Sequence, residues 1–173
     1  ATIRALRHHG GAKKDDYNTP SLEKVKKGIE NLNKHIENCK KFGLNPVVAI
    51  NAFPSDSNEE VNFIIENCKN VGVKAVVASG WEKGGEGMLD LAKSVVDEIE
   101  NGNNSFKPLY DWNKSVKDKI EMIAKQIYGA NGVEYSKKAM TELIRINDLG
   151  LNHLPICMAK TQKSFSDNDS LLG

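Results

Sequence analysis

Two aromatic side chains stand at matched places in the sequence. Phe53 follows the run Val47-Val48-Ala49-Ile50-Asn51-Ala52, and Trp81 follows Val76-Val77-Ala78-Ser79-Gly80. Each run is apolar and of strand length. Each stops at a polar residue and gives way to a helical pattern. In an open parallel sheet, ligands bind in the crevice outside the carboxyl ends of the strands. As neighbours, two such strands would put Phe53 and Trp81 on one rim, where a flat ring could sit between them. Stacking of this kind contributes roughly 0.5–1.5 kcal/mol beyond area burial. Taken singly, Phe53 reads as a core aromatic and Trp81 as a surface-turn aromatic. Their equivalent positions, flanked by Pro54 and by glycines, favour a ring clamp.

Other chemistry has less support. A phosphate-cradling P-loop needs Gly-x-x-x-x-Gly-Lys-Ser/Thr, and the sequence has none. Gly80-Trp81-Glu82-Lys83-Gly84-Gly85-Glu86-Gly87 is rich in glycine, but Lys83 lies on the wrong side of the glycines and no hydroxyl follows. A tight turn is the better expectation. The two strand ends also have the placement of the base-reading motifs of P-loop GTPases, yet the lysine of Asn-Lys-x-Asp is absent and Asp56 is displaced. Two strand ends aimed at a flat heterocycle remain, without guanine specificity. His8 and His9 lack companions at metal-ligand spacing. Ser136 and Ser164 lack a recognisable base. Asp15-Asp16 and Asp167-Asn168-Asp169 read as solvated turns. Lys160 and Thr161 would stand at the end of a third strand.

The elements that must position these residues alternate. Thr19 and Pro20 read as the N-cap and first position of a helix with Leu22, Val25, Ile29, Leu32, Ile36 and Cys39 on one face, interrupted by Gly28 and ended by Gly43. Strand 47–51 follows, then a helix opened by the capping box Ser57-Asn58-Glu59-Glu60 and carrying Val61, Ile64, Ile65 and Cys68 inward. Strand 73–79 precedes a helix over 86–100 with Leu89, Ala92, Val95, Val96 and Ile99 inward. Helices over 114–128, capped by Asn113, and 136–149 come next. Leu154 to Lys160 is a third candidate strand. Alternation with short connections argues a parallel sheet with right-handed crossovers.

Composition narrows the function classes. The 173 residues carry 24 basic and 23 acidic side chains, a formal charge of +1. That gives no reason to expect a nucleic-acid or anionic-membrane surface. No apolar stretch approaches the roughly 18 residues of a spanning helix, and no signal peptide is visible. Cys39, Cys68 and Cys157 fit buried free thiols in a reducing cytoplasm better than a disulfide framework. The opening Ala1 to Leu6 reads like the tail of a strand or a first turn, and the polar stretch to Gly173 has no closing element. The chain is therefore expected to be a piece of something larger.

Several ordered motifs resemble one family. Ala1-Thr2-Ile3-Arg4-Ala5-Leu6 with His9-Gly10-Gly11, Val47 to Pro54, Trp81 to Gly87, Tyr128-Gly129-Ala130, and Leu154-Pro155-Ile156-Cys157-Met158-Ala159-Lys160-Thr161-Gln162 are similar to formate–tetrahydrofolate ligase, across essentially the whole chain but only the later part of that enzyme. The resemblance implies an α/β fold of the P-loop NTPase-like kind, in part: a three-layer, mostly parallel sheet with flanking helices. It implies a single α/β piece over 1–173, in which 1–45 closes the nucleotide-binding domain and 46–173 forms a C-terminal α/β domain. It further implies formylation of tetrahydrofolate by formate and ATP through formyl phosphate, with Mg2+ and a monovalent cation, in a cytoplasmic homotetramer. The family's aromatic pair maps onto Phe53 and Trp81, with Asn51, Pro54, Gly84, Gly85 and Glu86 lining the same pocket. Catalytic residues would lie upstream, with the P-loop, and this piece alone would be inactive or nearly so. Arg7 stands where the family usually has lysine. Competing readings are a purine-nucleotide-binding module without ligase chemistry and a purely structural piece.

Overall fold

The computed structural model describes residues 1–159, 164–166 and 168. The chain forms two compact units, one over residues 1–106 and one beginning at Lys107. In the first, α1 (Ile3–His9), α2 (Leu22–Lys41), β1 (Val48–Asn51), α3 (Asn58–Asn70), β2 (Ala75–Ala78), α4 (Gly80–Lys83) and α5 (Leu89–Asn101) follow in order. The second holds α6 (Val116–Gln126) and α7 (Lys137–Asp148).

The strands β1 and β2 are parallel neighbours, paired from Val48 with Ala75 to Asn51 with Ala78. On the other side of β1, the Asn51 amide donates to the Ala1 carbonyl at 2.8 Å, and Thr2 bridges Asn51 in parallel. The opening residues, expected as a strand tail or a first turn, pair with β1 at Thr2 and then form a helix, α1, that Thr2 caps by accepting from the Ala5 amide. The described residues form an α/β arrangement on a parallel sheet of two strands. The third candidate strand is not one. Residues 154–159 are irregular, Pro155 supplies no ladder donor, and Lys160 to Gln162 lie outside the described residues.

The core of the first unit gathers Ile3 and Leu6 of α1, Val25, Ile29, Leu32 and Ile36 of α2, Val48 and Ile50 of β1, and Ile64, Cys68 and Val73 around α3. Gly28 explains how α1 comes so close to α2. A Cβ there would fall on the Leu6 carbonyl oxygen, and one at Gly10 would fall on the Lys24 carbonyl oxygen. The glycine that weakens the helix pattern in the sequence is what admits the neighbouring backbone.

Several sequence expectations need correction. The cap of α2 is Ser21, whose hydroxyl accepts from the Lys24 amide, two residues after Thr19. The cap of α6 is Ser115, not Asn113. After β2 comes a one-turn helix, α4, and the helix expected over 86–100 is α5, which begins at Leu89 because residues 86–88 form a 3-10 turn. Its apolar face is uncovered among the described residues: Leu89, Val95, Val96 and Ile99 are all exposed, and only Ser94 is buried. Of the three cysteines Cys68 alone is buried.

Candidate functional site

The parallel pairing sends both strand ends to the same edge. Asn51 ends β1 opposite Ala78 of β2, and the chain leaves both strands there toward Phe53 and Trp81. The two rings meet, with centroids 6.0 Å apart and planes inclined by 52°. Phe53 is half-buried, whereas Trp81 is 70% exposed. A third group joins them: the Arg4 guanidinium lies 5.5 Å over the Phe53 ring, an arrangement attractive through the ring quadrupole.

A flat ligand sandwiched between two rings needs them parallel and about 7 Å apart, twice the usual carbon contact distance. At 6.0 Å and 52° the rings touch each other instead. Trp81 stands on the one-turn helix α4, Gly80–Lys83. Trp81 belongs to a closed double turn. The Lys83 amide donates to the Ser79 carbonyl at 2.9 Å, the Gly84 amide to the Gly80 carbonyl at 3.0 Å, and the Ser79 amide to the Gly87 carbonyl at 3.1 Å. Gly84 holds φ 57° and ψ −140°, a conformation closed to side chains with a Cβ. The glycine run is therefore a tight turn. Gly84, Gly85 and Glu86 are exposed in it, Asn51 is half-buried at the end of β1, and Pro54 is exposed beside Phe53.

The histidines singled out in the sequence lie in contacts of their own. His8 Nδ1 lies 2.6 Å from the Tyr17 hydroxyl, and burial together with His8 and His35 lowers the pKa of His9. Among the described residues no three of His, Cys, Asp and Glu converge as metal ligands. The described part of the site is thus two rings in mutual contact, with one guanidinium over Phe53.

The family comparison concerns the chain as a whole. The model of the formate–tetrahydrofolate ligase family matches residues 1–173. The chain belongs to that family. Its members are ligases of formate and tetrahydrofolate, with ATP as a substrate. No described helix of this ligase chain is long and apolar enough to cross a membrane.

Sequence reasoning missed the polar cluster behind Phe53. Arg7, fully buried, donates from Nε to Glu60 Oε1 at 2.8 Å and from Nη2 to Glu60 Oε2 at 2.7 Å. Its Nη1 donates to the Tyr17 carbonyl at 2.8 Å, and its Nη2 lies 3.1 Å from Asp56 Oδ1. Glu60 also accepts from the Ser21 amide at 2.8 Å and from the Ser57 amide at 3.0 Å. Burial alone would raise the Glu60 pKa, but the donors from Arg7, Ser57 and Ser21 outweigh it and hold the carboxyl at about 2. The same pairing raises the pKa of Arg7. One signal pointed here: the N3 glutamate of the capping box, Glu60.

Proposed function

We propose that this chain supplies the ring-binding wall of an ATP-dependent formate–tetrahydrofolate ligase, with Phe53 and Trp81 stacking the pterin of tetrahydrofolate. The observation that carries this reading is the meeting of the two rings at the same edge of adjacent parallel strands. Asn51, Pro54, Gly84, Gly85 and Glu86 complete the pocket in this reading.

The reaction has two steps. A formate oxygen attacks the γ-phosphorus of ATP, ADP departs, and formyl phosphate forms. A folate amine nitrogen then attacks the formyl carbon, the carbon–oxygen bond to phosphate breaks, phosphate leaves, and the nitrogen loses its proton. Positioning and charge neutralisation dominate such chemistry. The share of Phe53 and Trp81 is to hold the ring so that its amine faces the activated carbonyl. The residues present do not fit the phosphate-and-metal part. The sequence has no P-loop, and no metal-ligand cluster forms among the described residues. ATP, its Mg2+ and a monovalent cation are assigned to other parts of the polypeptide, so this piece alone is expected to be inactive. In the same reading residues 1–45 close the nucleotide-binding domain, residues 46–173 belong to the C-terminal domain, β1 and β2 belong to a larger three-layer sheet, and the intact enzyme is a cytoplasmic homotetramer.

Steady-state kinetics of the full-length ligase test the assignment. Phe53→Ala and Trp81→Ala should raise the KM for tetrahydrofolate and leave those for formate and ATP nearly unchanged. Wild-type folate KM in both variants would remove the ring wall from the mechanism.

A further inference from the structure

We infer that Asp56 and Arg7 are positioning residues for the ring site: they set where Phe53 stands when tetrahydrofolate binds. The inference rests on the reading of Phe53 as a stacking wall. Phe53 lies beyond the end of β1, where no sheet ladder fixes it. Its backbone is tied instead to one residue. The Phe53 amide donates to Asp56 Oδ2 at 2.9 Å, and the Asp56 amide donates to the Phe53 carbonyl at 2.9 Å. The other oxygen of Asp56 faces Arg7 Nη2 at 3.1 Å, with both side chains buried. Arg7 is fixed in turn by both oxygens of Glu60, and Glu60 by the amides that open α2 and α3. A continuous set of short polar contacts therefore runs from two helix N-termini to the Phe53 amide. One turn earlier on α1, Arg4 lies over the ring of the same residue. Helix α1 thus holds Phe53 both by its backbone, through Asp56, and by its ring.

A clamp needed only for folding would not require Asp56. Glu60 already neutralises Arg7 with a two-point pair. Asp56 brings a second carboxylate into the same buried place, which carries a desolvation cost. What its second oxygen does there is fix the Phe53 amide.

Kinetics of the full-length ligase separate the alternatives. Asp56→Ala leaves the Arg7–Glu60 pair and the backbone bond from residue 56 to the Phe53 carbonyl in place, and frees the Phe53 amide. It should raise the KM for tetrahydrofolate about tenfold, since small misplacements of a positioning group are costly. The KM values for formate and ATP should stay within about twofold, and Tm should fall because the Phe53 amide loses its acceptor. Arg7→Lys retains the charge but not the fork and should fall between wild type and Arg7→Met. A folded Asp56→Ala enzyme with wild-type folate KM, or a rise in all three KM values together, overturns the inference. Should that variant fail to fold, Asp56→Asn tests the link to Arg7, because it keeps an acceptor for Phe53 and loses the charge facing Arg7: a raised folate KM upholds the inference, and an unchanged one overturns the positioning role of Arg7. Phe53→Ala in parallel tells the two readings apart. If it too leaves folate KM unchanged, the stacking wall itself is wrong; if it raises KM while Asp56→Ala does not, only the positioning role fails.

Discussion

Arg7 and Glu60 form a two-point ion pair across 53 residues of sequence, with Nε–Oε1 at 2.8 Å and Nη2–Oε2 at 2.7 Å and both side chains fully buried. The pair joins three segments that share no strand ladder: α1, the entry to α2, and the capping box of α3. A buried pair of this kind gives weak net stability against an apolar substitute, but removing one partner leaves a desolvated charge and typically costs about 3–5 kcal/mol.

The first prediction concerns acid. The Glu60 carboxyl titrates at about 2 in the folded chain, below its ordinary range near 4.3. A depressed carboxylate contributes stability that is complete above the unfolded value and disappears as pH falls through the folded one. On the order of 3 kcal/mol should therefore be lost between about pH 5 and about pH 2. Urea midpoints of wild type and Glu60→Gln should be well separated near about pH 7 and should converge near about pH 2. A gap that stays constant over that range would show that the pair does not control Glu60.

A second prediction concerns Gly28. In a free helix, Gly→Ala gains about 1 kcal/mol. Here the added Cβ meets the Leu6 carbonyl oxygen and the Gly10 amide nitrogen, so α1 must move off α2. Gly28→Ala should lower stability by roughly 1–3 kcal/mol, the usual cost of overpacking. A rise in Tm would mean that the α1–α2 contact is not this close in solution.

These two sites also mark what could be read beforehand. The strand–helix alternation of residues 47–79 was legible because period and capping agree there: Ser57 and Glu60 cap α3 on both sides of the box, as their spacing requires. The adjacency of β1 and β2, and with it the meeting of Phe53 and Trp81, followed from that alternation. Gly28 carried a propensity cost in the sequence, but its reason is a backbone contact with residue 6, which no local pattern encodes. The Arg7–Asp56–Glu60 cluster was invisible for the same reason, since its partners are distant in sequence. In α5 the periodicity located the apolar face of Leu89, Val95, Val96 and Ile99 correctly, but not its exposure, which is set by what packs on the face. Residues 154–159 failed as a strand because an apolar run with a proline can stay irregular when a side chain, here Lys119, takes the carbonyl of its first residue, Leu154.

The ring wall itself makes a third prediction, readable by fluorescence. The chain has two tryptophans, so Trp112→Phe leaves Trp81 as the only indole. Titration of that 173-residue variant with tetrahydrofolate should quench the emission saturably, and Phe53→Ala should abolish the effect. Quenching by adenine nucleotides but not by folates would instead make the edge a purine site, and a silent titration with both would leave the pair without a ligand in this chain.

Lys119 supports the last prediction. Its side chain is fully buried, with Nζ donating to the Asn152 carbonyl and, at 3.0 Å, to the Leu154 carbonyl, while lying 6.0 Å over the Tyr110 ring. Tyr110 in turn accepts from the Ile156 amide at 2.9 Å. One ammonium thus organises the irregular run that leads out of the 3-10 turn Leu151–His153. Lys119→Met keeps most of the stem volume and removes both donors, leaving two carbonyls to find other partners. The cost should be about 1–3 kcal/mol, that of a buried polar group left unpaired. The loss should be local, so hydrogen exchange at the Ile156 amide should accelerate in the variant while exchange along α2 stays at its wild-type rate. Equal protection of Ile156 in the two proteins would show that Tyr110 holds this run without the lysine.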